Sequence, residues 1–304
     1  MTLRFCTLDV FTDHRFGGNP LAVFCDVPEL PTEFMQKIAR EFNLSETVFL
    51  LRPREPGAPW RLRIFTPGRE LPFAGHPTIG AAHVLIEEAL VKVSGTSGSF
   101  ALEEGVGRIP IQARRQSDGH WFIQLTTAKL PEEAGPAPPL ATVAKLLGIG
   151  TSDLLDGVDC PQFFSCGVPF LFVPVRSRAV LGKMAVDVAE SRKLQAQAGA
   201  SQVFAFCYQP EREGSDLRAR MFAQEFGIVE DPATGSAVAA LAGYLARRAA
   251  TQEGTRHWVI EQGFEMGRPS ILHLEVDFAQ GAVKAVRVGG TAVRMSEGVL
   301  SPFQ

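Results

Sequence analysis

The sequence predicts an α+β protein of two pseudo-equivalent halves, each a β-barrel-like sheet around a central helix. Three observations carry that prediction. The chain has 304 residues, and a single hydrophobic core usually stops growing near ~250 residues. Short strand-like runs outnumber helical ones along it, the pattern of an α+β fold. A seven-residue pattern also recurs: His76-Pro-Thr-Ile-Gly80-Ala-Ala82 is echoed 155 residues later by Asp231-Pro-Ala-Thr-Gly235-Ser-Ala237. Each copy opens a run of Ala, Gly and aliphatic residues. A helix with side chains that small fits inside a narrow closed sheet, whereas a Leu-rich one does not.

In order along the chain, Arg4 to Cys25 reads as strand, turn and strand, punctuated by Gly17-Gly18-Asn19-Pro20. Pro31 to Phe42 is helical, because Phe34, Ile38 and Phe42 recur at i, i+4 and i+8. Thr47 to Leu51 and Trp60 to Phe65 are strands. Pro77 to Leu90 is the first small-residue helix, followed by strands near Phe100, Ile109 and Trp121 to Leu125. Pro-rich Pro131 to Pro139 marks the boundary, so the expected domains are 1–128 and 129–304. Ala141 to Leu147 and Ala185 to Ala198 are helices. Gly167 to Val175, Val203 to Tyr208 and Leu217 to Phe222 are strands. Pro232 to Ala250 is the second small-residue helix, with Arg247 and Arg248 complementing the dipole of its last turns. Strands near Val259, Ile271 to Val276 and Val283 to Val288 close the chain.

Composition excludes several classes. A formal net charge of −3 and the lack of a long Lys/Arg run argue against nucleic acid as a partner. No stretch approaches the ~20 apolar residues of a membrane span, and no signal-peptide pattern opens the chain. Five cysteines, none in a C-x-x-C pair, suggest neither a disulfide framework nor a zinc site. The six histidines show no metal-ligand spacing. A cytoplasmic protein without a metal is the expectation.

The echo points to chemistry. A helix N-terminus presents free backbone N–H groups and the positive end of a dipole, which favour an anion. Two such termini facing each other across a domain interface would hold a small carboxylate. Glu46, in Asn43-Leu-Ser-Glu46-Thr-Val-Phe, enters a strand that is apolar on both faces. Burial there would raise its pKa toward the range useful for proton transfer. Two competing readings are an Asn43–Glu46 capping box and a solvated turn residue. His76 and Asp231 hold matching positions in the echo, and either orient a substrate or merely cap helices. Gly105-Val-Gly107 lacks the third glycine of a dinucleotide fingerprint, Gly289-Gly290 reads as a turn, and Ser236 has no nucleophile elbow around it.

Taken together, these residues resemble the PhzF-like family of phenazine-biosynthesis isomerases. The likeness spans nearly the whole chain: Asp9-Val-Phe-Thr, Gly17-Gly18-Asn19-Pro20-Leu-Ala-Val, Leu44-Ser-Glu46-Thr-Val-Phe49, Pro72-Phe-Ala-Gly75-His76-Pro77-Thr, Glu230-Asp231-Pro-Ala-Thr-Gly235-Ser236-Ala and Gln262-Gly263 to Gly267-Arg-Pro-Ser270. The resemblance implies a diaminopimelate-epimerase-like fold with the active site between its halves, in which the residues after about 288 return to the first half. It implies a cofactor-free isomerase in which Glu46 is the acid/base, His76 and Asp231 assist and orient, and Gly75, Gly235 and Ser236 surround the substrate. The reaction it suggests is that of trans-2,3-dihydro-3-hydroxyanthranilate isomerase. The alternatives are an epimerase or tautomerase of another small acid, and a non-catalytic member that binds a small acid or a protein. A two-thiol racemase is disfavoured, because the helix starts carry Gly75, His76 and Asp231 and no cysteine. A homodimer is expected by family analogy only.

Overall fold

The computed structural model describes residues 2–54, 56–224, 227–249 and 252–301. The chain forms two compact units, Met1–Ala128 with Val288–Gln304, and Lys129–Arg287.

In the first unit β1 (Leu3–Val10) lies antiparallel to β2 (Asn19–Phe24). Helix α1 (Thr32–Phe42) then carries the chain over to β3 (Glu46–Leu51), which runs parallel to β2. β4 (Trp60–Phe65) is antiparallel to β3, and the short β5 (Glu70–Leu71) folds back on β4. Helix α2 (Gly75–Glu87) follows. β6 (Ser97–Glu104) then pairs parallel with β4, and β7 (Gly107–Arg115) and β8 (Trp121–Thr126) extend the sheet antiparallel.

The second unit opens with β9 (Glu132–Glu133), α3 (Leu140–Leu147), β10 (Gln162–Ser165) and β11 (Pro169–Pro174). Helices α4 (Arg178–Lys183) and α5 (Val188–Ala198) lead to β12 (Val203–Cys207). Next come β13 (Leu217–Ala223), β14 (Ile228–Asp231) and α6 (Gly235–Ala246). β15 (Gly254–Gln262), β16 (Ser270–Ala279), β17 (Ala282–Gly290) and β18 (Ala292–Leu300) complete the chain, and β18 pairs with β1.

The two units share one connectivity. β11 is parallel to β12, β12 antiparallel to β13, β13 antiparallel to β14 and parallel to β15, and β15 antiparallel to β16. That is the order of β2 through β7. The architecture is therefore α+β, with two pseudo-equivalent halves.

Each central helix is enclosed by its own sheet. α2 is buried from Gly75 through Leu85 and packs on β1, β2, β3, β4, β8 and β18. α6 packs on β9, β10, β11 and β16. Small residues are required for this. A Cβ at Gly80 would run into the Leu21 and Val10 side chains, and one at Gly243 into the Phe164 ring. The outer face of the first sheet is covered by α1, where Met35 and Ile38 join Phe24, Phe49 and Phe65 in one cluster. Each such side chain contributes about 1.5–3 kcal/mol when fully buried. In the second unit α3, α4 and α5 supply Leu147, Leu181 and Leu194 to the corresponding cluster.

The structure departs from the sequence reading at several places. The second small-residue helix begins at Gly235, not Pro232, and ends at Ala246; Ala250 lies outside the described residues. Arg248 still serves its C-terminal end, donating to the Tyr244 carbonyl at 2.7 Å. Gly289 and Gly290 end β17 and do not form a turn, because Gly289 lies against the Phe122 ring, where a Cβ would clash. The two-residue strands β5 and β9, the edge strand β14 and the short helix α4 were too brief to show periodicity. No helix among the described residues is long and apolar enough to cross a membrane. No two of the five cysteines form a disulfide.

Candidate active site

Glu46 is the first residue of β3, opposite Leu21 of β2. The alternation of a strand decides where its carboxylate goes. Phe49 and Leu51 face the α1 cluster, so Glu46 shares the other face with Val48 and Leu50, the face that packs on α2. The capping-box reading fails, because Asn43 closes α1: it has φ 50° and its N–H bonds the Ala39 carbonyl at 3.1 Å. Helix α1 thus ends just before the strand, and Glu46 starts a new element.

Across from it stands His76, the second residue of α2, 4% exposed. Its Nε2 lies 3.3 Å from Glu46 Oε2, and the Glu46 side chain is 12% exposed. The contact lacks hydrogen-bond geometry, and His76 Nε2 has no hydrogen-bond partner among the described residues. Burial pushes the His76 imidazolium down to about 3, so the ring is neutral at physiological pH. A carboxyl group and a neutral imidazole are therefore held together at the mouth of an apolar interior. A proton on Glu46 is not drawn onto the ring, because burial disfavours the imidazolium. Gly75, next to His76, opens the same helix, and no side chain caps it.

The second unit organises Asp231 differently. Asp231 ends β14 and is buried, but it does not begin a helix. The N-cap of α6 is Thr234, and Gly235 and Ser236 form its first turn. The echo in the sequence therefore misaligns the halves. In the structure Pro72-Phe-Ala-Gly75 corresponds to Pro232-Ala-Thr-Gly235, and His76 corresponds to Ser236 rather than to Asp231. The helix-end role expected for Asp231 is corrected accordingly: its carboxylate sits three residues ahead of the cap.

What fixes Asp231 is a network that the sequence reading missed. The Gln262 side chain, fully buried at the end of β15, donates from Nε2 to the Asp231 carbonyl at 2.7 Å and to Thr234 Oγ1 at 3.0 Å. Its Oε1 accepts the Thr234 N–H at 3.1 Å. A backbone N–H can only donate and a carbonyl can only accept, so the amide orientation is determined. Thr234 then has its own hydrogen for Asp231 Oδ2, 2.5 Å away. Asp231 Oδ2 is an oriented acceptor of the Thr234 hydroxyl. The clue in the sequence was the inward-facing series Trp258, Ile260, Gln262, which ends in a polar residue.

The structure thus joins Glu46, His76 and Gly75 in the first unit, and Asp231, Gly235 and Ser236 at one helix start in the second. The architecture is the diaminopimelate-epimerase-like fold. A hydroxyproline epimerase from Agrobacterium vitis shares the fold, with a TM-score of 0.66 at 12% identity over 98% of this chain and 92% of that one. Residues 8–298 match the phenazine biosynthesis-like protein family, and the chain belongs to that family. An uncharacterised isomerase of Mesorhizobium japonicum is 38% identical, over 98% of this chain and 99% of that protein. The trans-2,3-dihydro-3-hydroxyanthranilate isomerase of Pseudomonas aeruginosa is 35% identical, over 97% and 98%. The crystal structure of a PhzF-family phenazine biosynthesis protein from Bacillus anthracis superposes with a TM-score of 0.89 at 26% identity, over 99% and 100% of the two chains. These relatives support an isomerase-type enzyme.

Proposed function

We propose that the chain is a cofactor-free isomerase that shifts a proton on a small cyclic amino or hydroxy acid, with Glu46 as the acid/base. The observation that carries this reading is the buried Glu46–His76 pair, 3.3 Å apart, with its imidazole kept neutral. A neutral ring carries no positive charge to lower the basicity of the carboxylate, which can take a proton from carbon. In the reaction of the 35%-identical relative's name, Glu46 would remove the proton at C3 of the dihydro ring. The C–H bonding pair moves into the conjugated system, and the Glu46 acid, after exchange with solvent, delivers a proton at C1. No electron leaves the substrate, and Glu46 ends as it began. Asp231 is the proposed orienting carboxylate, and Gly75, Gly235 and Ser236 supply the proposed contacts to the substrate through the first turns of their helices.

Glu46→Gln keeps the shape and removes the exchangeable proton site. Its turnover of trans-2,3-dihydro-3-hydroxyanthranilate is expected to fall ~10²-fold or more, with unchanged thermal unfolding. Near-normal turnover by this variant would remove Glu46 from the mechanism. Absence of turnover in the wild-type chain, with exchange seen on another small acid, would favour the epimerase or tautomerase reading. Binding of a carboxylate with no exchange at all would favour a non-catalytic role.

A further inference from the structure

Glu104 is a buried carboxyl group that the proposed reaction does not use. It ends β6, its inward-facing companions on that strand are Phe100 and Leu102, and it is 6% exposed. Its Oε1 lies 2.6 Å from Thr78 Oγ1 in the first turns of α2. The same hydroxyl lies 2.7 Å from the Ala74 carbonyl, the cap of that helix. Glu104 Oε2 is buried with no hydrogen-bond partner among the described residues.

A hydroxyl has one hydrogen, and a carbonyl can only accept. If Thr78 donates to Ala74, the hydrogen between Thr78 and Glu104 must come from Glu104. If Glu104 were an anion, either it or the Ala74 carbonyl would face a lone pair of Thr78. An unpaired buried anion is also costly in its own right. Both contacts are satisfied only by the acid form.

The second unit supplies an independent comparison. β6 and β15 are equivalent strands, each parallel to its neighbour across the sheet and each following the central helix. The last residue of β6 is Glu104, and the last of β15 is Gln262. Gln262 clamps the entry to α6 with a group that never ionises. A protonated carboxylic acid is the nearest chemical match to that amide, with one donor and one acceptor.

We propose that Glu104 is held as a neutral carboxylic acid which, through Thr78 and the Ala74 carbonyl, fixes the first turn of α2 and so positions His76 against Glu46. It is a positioning residue, and it rests on the isomerase reading only for the meaning of His76. Burial raises the Glu104 carboxyl to about 8. The ionisable side chains on the surrounding elements are engaged elsewhere or carry no charge. Glu103, on the same strand, accepts the Arg54 N–H. Arg61 of β4 pairs with Glu29, Arg108 of β7 donates to the Pro56 carbonyl, and His76 of α2 is neutral. The loop Pro72–Ala74, whose Pro72 carbonyl accepts the Val106 N–H, has no charged side chain.

The test is carboxyl-carbon NMR on the full chain labelled at the Glu side-chain carboxyl, titrated from pH 4 to 9.5. Glu104→Gln identifies the resonance by its disappearance; if that variant does not fold, Thr78→Val identifies it by its shift. The expected midpoint is about 8. A midpoint near the ordinary 4.5 overturns the proposal. The positioning limb is read from the His76 ring nitrogens. Their shifts should move in Thr78→Val and stay in place in Glu104→Gln, the neutral substitute. Unmoved His76 shifts in Thr78→Val overturn the positioning role. Neither readout needs a substrate, so an inactive wild-type chain would sink the isomerase reading and leave this one measurable.

Discussion

The starts of the two central helices solve one problem with different chemistry. At α6, Gln262 gives a hydrogen to Thr234, and Thr234 passes its own to Asp231. The chain of donors ends on the Asp231 carboxyl group, which accepts and is oriented by it. At α2 the hydroxyl of Thr78 is aimed at the backbone carbonyl of Ala74, so the carboxyl behind it must bring the hydrogen. There the chain of donors begins on a carboxylic acid. The direction in which each threonine's single hydrogen points thus decides whether the carboxyl group beside it donates or accepts. Two carboxyl groups, each beside a threonine at a helix start, take opposite hydrogen-bonding roles.

The sharpest way to break this comparison is to exchange the clamps. Gln262→Glu puts a second carboxyl group beside the Asp231 carbonyl and one hydroxyl away from the Asp231 carboxylate. It is expected to cost ~3 kcal/mol or more at pH 8, as for a buried charge left uncompensated. Glu104→Gln at the same pH is expected to be neutral or stabilising. Urea denaturation of both variants would check this, and equal costs would refute the contrast.

A smaller effect lies in the pH dependence of stability. Glu104 has a folded pKa raised from 4.5 to about 8. The folded state therefore holds a proton that the unfolded state has lost, and stability falls as pH rises through that window. His76 has a folded pKa lowered from 6.5 to about 3. Here the unfolded state binds the extra proton, and stability falls as pH drops below 6.5. From 4.5 to 6.5 the two slopes oppose each other. Above 6.5 only the Glu104 slope remains, ~1.4 kcal/mol per pH unit, or ~2 kcal/mol by pH 8. Glu104→Gln should flatten that alkaline arm and leave the acid arm. An unchanged alkaline arm would show that Glu104 does not hold its proton.

Much of this was legible in the sequence. The small-residue helices, the strand that Glu46 opens and the α+β class follow from side-chain size and alternation, which local sequence carries directly. The register between the halves did not follow. His76-Pro-Thr-Ile-Gly80-Ala-Ala82 shares three letters in seven with Asp231-Pro-Ala-Thr-Gly235-Ser-Ala237, and Pro72-Phe-Ala-Gly75 shares two in four with Pro232-Ala-Thr-Gly235, so letters alone do not choose between the two registers. Helix starts, however, are set by where the chain leaves β5 and β14, and that is a property of the sheet. Glu104 and Gln262 were hidden for a related reason. Each is the last member of an inward-facing series on its strand, but its partner lies on a helix start that only the fold brings near. The proton count at Thr78 required coordinates, because it depends on two distances from one oxygen.

The central claim is that Glu46 carries the proton. Its most direct test is turnover of trans-2,3-dihydro-3-hydroxyanthranilate in D₂O, followed by proton NMR, with the wild-type chain and Glu46→Gln side by side. The account predicts deuterium at C1 of the wild-type product and ~10²-fold slower labelling with the variant. Equal labelling by the two proteins, or deuterium at a different carbon, would contradict it.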